Sequence, residues 1–143
     1  MTELRICIDV PDVQRALDFY TRALGLHPGR QRQDSWAELL GASAPIDLLP
    51  KAQGTLPSAT STTGRDYRRH WTPIHLDLVV EDLDAALARA LEAGATLDQP
   101  VQVREWGRMA NLADPFGHGW CLLRGGARLS AGGWLNSVTS THA

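Results

Sequence analysis

The side chains best suited to chemistry stand on stretches where apolar residues fall at every second position. Around Ile74, Leu76, Leu78 and Val80, this alternation leaves His75, Asp77 and Val79 on the opposite face. A period of two marks a strand with one face on a core. An imidazole beside a carboxylate changes charge near neutral pH and suits acid–base work; the blander use is a structural pair in which His75 donates to its neighbour. Arg5, Cys7 and Asp9 alternate in the same way against Ile6, Ile8 and Val10. The forked donors of Arg5 match a carboxylate or phosphate, either on a bound molecule or on an aspartate of the chain itself, Asp47 or Asp77. Trp36 and Glu38 share another short stretch, Trp106 a third, and alternation sets Cys121 opposite Trp120. Five tryptophans are many for this length. Trp36 and Trp106 are therefore candidates for the aromatic wall of a pocket, with Glu38 as its acid, while Trp120 is expected in the core.

Several other chemistries are missing. No glycine-rich phosphate loop occurs, and no G-x-S-x-G elbow. His70 and His75 straddle a strand start, not the helical spacing of an H-E-x-x-H zinc motif. Cys7 and Cys121 lie far apart with no C-x-x-C spacing, and they read as small buried side chains.

Composition narrows the classes further. With 143 residues the chain suits one domain, 1–143. A net charge of −2 creates no field for nucleic acid or an anionic membrane. The near-neutral balance also argues against a trap for cationic drugs such as bleomycin. No apolar run approaches the roughly 20 residues of a bilayer span, and the first residues lack the basic and apolar parts of a secretion signal. A cytoplasmic location is the expectation.

The elements that must position these groups occur twice. The segment around Asp12, Ala16 and Leu17 returns at Asp82, Ala86 and Leu87, a constant offset of 70 positions. In each copy the alternating strand runs into a capping Asp, then an apolar helical stripe, then a terminating glycine, Gly25 or Gly94. Candidate strands follow at residues 35–40 and 46–49, and at 104–112 and 119–123. Module one is about 4–50 and module two about 73–124. Residues 51–72 form a linker, polar up to Gly64; in the basic, aromatic run 65–71 that follows, Tyr67, Arg68, Arg69, His70 and Trp71 are either a lid over the cavity or a solvated connector. A tail, 125–143, closes the chain, with Trp134 and Leu135 as one anchoring contact.

Two motifs carry a resemblance. Asp12 through Phe19-Tyr20 to Leu24-Gly25 is similar to the D-x-x-x-A-x-x-FY-x-x-x-LG helix of the vicinal oxygen chelate superfamily, and Asp114-Pro115-Phe116-Gly117 to its D-P-x-G turn. That group includes glyoxalase I, extradiol dioxygenases and bleomycin-resistance proteins. The resemblance implies an α+β fold of two tandem βαβββ modules whose curved sheets form one cavity. It also implies a homodimer and, in metal-dependent members, one divalent ion held by His and Glu from each half.

Carried over position by position, that ligand set falls on Arg5, Asp47, His75 and Cys121. A guanidinium has no lone pair and stays charged, so Arg5 opposes a cation there. The expectation is a small-molecule-binding protein without the usual metal. Its ligand, anionic in one version, would contact Arg5, Asp47, Asp77, Cys121, Trp36, Glu38 and Trp106, with His75 as the acid or base of any catalysis. The alternative is a metal-dependent lyase, isomerase or dioxygenase using His75, Asp47 and Cys121 to hold zinc, nickel, manganese or iron.

Overall fold

The structure is a computed structural model that describes residues 1–125. The first module runs β1 (Ile6–Val10), α1 (Val13–Leu24), β2 (His27–Gln31), β3 (Ala37–Leu40) and β4 (Ile46–Pro50). The second runs β5 (Leu76–Val79), α2 (Leu83–Ala93), β6 (Thr96–Leu97), β7 (Gln102–Arg104), β8 (Gly107–Ala113) and β9 (Gly119–Gly125). Each half builds its own sheet, in the orders β1-β4-β3-β2 and β5-β9-β8-β6, with β7 also on β8. The first strand of each half lies parallel to its last, because the helix carries the chain across the sheet before it returns. This is the expected α+β architecture.

Both helices begin as expected. The carboxylates of Asp12 and Asp82 each accept from the backbone N–H three residues on, at 3.0 Å. Such a cap contributes about 1 kcal/mol. Gly25 and Gly94 end the helices at φ 67° and 112°, a backbone region that disfavours side chains. Helix α1 buries Val13, Ala16, Phe19, Tyr20 and Ala23, and packs along α2. One apolar cluster joins the two halves: Phe19 of α1 stands edge-on to Trp120 of β9, with ring centroids 6.5 Å apart. The Tyr20 hydroxyl reaches across to Asp114, donating at 2.5 Å. The two motif segments are thus bonded to each other.

Four features depart from expectation, and the first two have local causes. Strand β2, His-Pro-Gly-Arg-Gln, lacks apolar alternation because it is an exposed edge, where Pro is tolerated. In the second half, β6 and β7 pair with one continuous β8, and Pro100 falls in the gap between them, where it cannot donate to the ladder. Ile74 precedes β5 and is exposed, as is Cys7, so neither is the buried side chain expected. Gly125 belongs to β9 instead of the tail, whereas Trp134 and Leu135 lie outside the described residues.

The second part of the connector is tied to both modules. Arg65 pairs with Asp9 at 2.6 Å, and the Tyr67 hydroxyl donates to the Lys51 carbonyl at 2.7 Å. Arg69 pairs with Asp98 in the second half.

Candidate functional site

On module one, β3 and β4 place Glu38 opposite Asp47, and β1 brings Arg5 to the same edge. Arg5 is fully engaged by the pair. Its Nε donates to Asp47 Oδ2 at 2.9 Å; its Nη2 donates to Asp47 Oδ1 at 2.7 Å and to Glu38 Oε1 at 2.8 Å. Trp36 Nε1 adds a donor to Asp47 Oδ1 at 3.1 Å. From the edge strand, Arg30 gives Glu38 its guanidinium, at 2.8 and 3.2 Å, together with its backbone N–H. Gly29 makes room for this, since a Cβ there would lie 2.6 Å from Glu38 Oε2. Two guanidinium groups therefore neutralise two buried carboxylates. Arg30 first, and Arg5 second, hold the Glu38 carboxyl down at about 2. The same carboxylates push the Arg5 guanidinium upward, Asp47 first.

Module two carries a different set. The β5–β9–β8 register aligns Asp77, Cys121 and Asn111 in one row across the sheet. His75 Nε2 lies 3.2 Å from Asp77 Oδ1, and one ligand atom from each of His75, Asp77 and Cys121 falls within 4.8 Å of the others. Asn111 Nδ2 donates to Cys121 Sγ at 3.1 Å, while its carbonyl oxygen accepts from Gln99 and Gln102 at 2.7 and 3.0 Å. That fixes the amide. Burial, and then the Asp77 charge, push the Cys121 thiol up to about 11.

Trp71, Trp106, His75, Asp77, Asn111 and Cys121 line an open cavity of about 430 Å³ over this row. Trp71 is held at its edge by Nε1 donating to Asp98 at 3.1 Å, by the Arg69 guanidinium 4.6 Å from its ring centre, and by an edge-on contact with His75. The candidate lid thus contributes one wall. A smaller cavity of about 240 Å³ lies at the seam of β1 and β5, reaching the helix side at Tyr20 and Leu24.

The candidate residues therefore fall into two groups. Arg5, Trp36, Glu38 and Asp47 are bonded together on module one. His75, Asp77, Trp106 and Cys121 share the module-two cavity. Neither that cavity nor the seam cavity is lined by Arg5 or Asp47. Of the two partners open to Arg5, Asp47 is the one it takes, and Asp77 turns to His75. Sequence reading missed Arg30 and Asn111, and placed Trp71 only within the candidate lid. Arg30 sits in the edge strand that had no pattern. Asn111 had a signal, as a lone amide among the apolar residues of β8.

A four-ligand metal centre spanning both halves does not fit this donor set. At the module-one position a guanidinium occupies both carboxylates, so the cation there is already supplied by the chain.

The sequence profile for the "Glyoxalase-like domain" matches residues 5–123. The chain belongs to this glyoxalase-like family. An uncharacterized protein of Mycobacterium tuberculosis (strain H37Rv) is 35% identical over 122 residues, covering 79% of this chain and 68% of that one. The anthracycline biosynthesis protein DnrV of Streptomyces peucetius is 32% identical over 120 residues, 82% of this chain but 40% of DnrV. Among solved structures, TnmS3, an antibiotic binding protein from Streptomyces sp. CB03234, superposes with a TM-score of 0.64 at 25% identity, over 88% of this chain and 97% of TnmS3. The glyoxalase/bleomycin resistance/dioxygenase superfamily implied by the two motifs is thus the family found. Among the described residues, no helix is long and apolar enough to cross a membrane.

Proposed function

We propose that this glyoxalase-like chain binds a planar, neutral or cationic organic molecule in the module-two cavity, without a metal held between the modules. One observation carries the reading: two indoles, Trp71 and Trp106, line a cavity of about 430 Å³ whose floor holds Asp77 and the Asn111–Cys121 row. Indole walls favour flat rings, and a carboxylate favours positive charge. The antibiotic-binding neighbour and the relative named for anthracycline biosynthesis support a small-molecule ligand. An anionic ligand loses its rationale, because the Arg5 fork is spent on Asp47 and Glu38. Net charge argued against cationic drugs, yet the charge a ligand meets is local, and here it is Asp77. Two chains forming a homodimer complete the proposal, with light scattering as its check.

The test is tryptophan fluorescence titration with 9-aminoacridine, a planar cation, against anthraquinone-2-sulfonate, a planar anion. Saturable quenching by the acridine, with weaker binding of the sulfonate, is expected. Equal or reversed preference overturns the reading.

A second reading rests on the approach of His75, Asp77 and Cys121 within 4.8 Å. An imidazole, a carboxylate and a thiol from one module make a three-donor set for zinc, with an open fourth position. In that reading the chain is a metal-dependent lyase, isomerase or dioxygenase, and Asp77 takes the place expected of Asp47. Elemental analysis of protein purified without chelator decides between the two: about one equivalent of a divalent metal favours the second.

A further inference from the structure

We infer that Asp98 and Gly119 are positioning residues for the module-two cavity: from outside it they fix the Trp71 indole as its wall, and so set how tightly a planar molecule is held. The inference rests on the reading of that cavity as a ligand site.

Trp71 stands where little else would hold it. It lies between the connector and β5, in no strand, and is 44% exposed. Neither a ladder of backbone bonds nor deep burial sets its side chain. Asp98, between β6 and β7, supplies the fixed point. Its Oδ2 accepts from Trp71 Nε1 at 3.1 Å, and its Oδ1 from Arg69 Nε at 3.0 Å. The Arg69 guanidinium also lies over the Trp71 ring. That guanidinium, more than any other group, holds the Asp98 carboxyl below the ordinary carboxylate range, so the acceptor is charged at neutral pH. The Asp98 backbone N–H donates to the Asn111 backbone carbonyl at 3.0 Å, and the Asn111 side chain donates to Cys121 in the cavity floor. One residue thus ties wall to floor.

Gly119, the first residue of β9, meets the indole from the sheet. A Cβ there would fall 2.8 to 2.9 Å from three atoms of the six-membered ring of Trp71. Cβ atoms do not approach so closely, so the ring can rest where it does only on a glycine. None of Asp98, Arg69 and Gly119 lines the cavity. Their effect on a ligand therefore passes through Trp71. Binding need not order an indole that is already held, a difference of a few-fold to about tenfold in affinity.

The experiment compares wild type, Asp98→Ala, Gly119→Ala, Trp71→Ala and the double variant Asp98→Ala with Trp71→Ala. In ligand-free ¹⁵N-labelled protein, with Trp71 assigned from Trp71→Ala, both Asp98→Ala and Gly119→Ala should shift the Trp71 indole N–H resonance. Each should weaken 9-aminoacridine binding about fivefold. A purely structural role would show as lost stability instead. Alanine suits a strand backbone and restricts the unfolded chain, so Gly119→Ala should keep the wild-type urea midpoint or exceed it. In the Trp71→Ala background, Asp98→Ala should weaken binding no further. A Trp71 resonance unmoved in either folded variant overturns the inference, as does further weakening in the double variant. Failure of the wild type to bind the acridine would instead sink the reading of the cavity as a site for planar cations. The ligand-free resonances alone would then decide whether Asp98 and Gly119 place Trp71.

Discussion

Arg5 grips Asp47 with two parallel hydrogen bonds, Nε to Oδ2 at 2.9 Å and Nη2 to Oδ1 at 2.7 Å, and the same Nη2 reaches Glu38 at 2.8 Å. One guanidinium thus cross-links two carboxylates, as a cation would. The position that the family resemblance assigns to a metal-ligating histidine is taken in this chain by a guanidinium. Arg5 therefore acts first on module one itself, and only through it on any ligand.

Replacing that charge should reopen the position. Arg5→His combined with Cys121→Glu places donors in both halves and releases Asp47 from its guanidinium, while Glu38 keeps Arg30. Isothermal calorimetry with zinc or manganese is expected to show gained affinity over the wild type. No gain would mean that the two halves do not face a common ion.

Acid stability should depend on Glu38. Its folded carboxyl titrates at about 2, below the ordinary value of 4.5. A carboxylate depressed in the folded state stabilises the fold above its unfolded value, and that contribution is lost as pH falls from about 4.5 toward 2. Urea midpoints are expected to drop over this window. Glu38→Gln should flatten the slope there, and an unchanged slope would remove Glu38 from the account.

The bond between the two motifs should be needed for stability. Tyr20→Phe removes the hydroxyl that donates to Asp114 in the interior; Asp114 keeps the backbone N–H groups of Phe116 and His118. A loss of about 1–3 kcal/mol is expected from urea denaturation, with the fold retained by circular dichroism.

The two thiols should differ in reactivity. Cys7 is exposed, whereas Cys121 is buried, accepts from Asn111 and has its thiol pushed up to about 11. Burial also raises the Cys7 thiol, but its access is open. Iodoacetamide at pH 8 should label Cys7 alone in native protein and both in urea, as read by peptide mass spectrometry. Labelling of native Cys121 would show that the module-two row opens.

The tryptophan walls should act independently of module one. Trp106→Ala and Trp71→Ala are each expected to weaken 9-aminoacridine binding by about tenfold, as loss of an aromatic anchor does. Trp36→Ala, remote from that cavity and bonded to Asp47, should leave it unchanged.

What the chain's own pattern determined was the repeat and its local grammar. Alternation, capping aspartates and closing glycines depend on neighbours a few positions away, so β1, α1, β5 and α2 could be read directly. The family motifs did the same for the two-module fold. Edge strand β2 escaped because an exposed edge needs no apolar code, and the split of β6 from β7 was visible only in how both pair with β8. Partner choice belonged to the tertiary structure alone. Arg5 had Asp47 and Asp77 open to it, and spacing does not rank two acids in different halves. Packing of β1 on β4 ranked them, giving Asp47 to Arg5 and leaving Asp77 to His75. The same packing divided one expected site into two, because a side chain's type is local while its company is set by which strands meet.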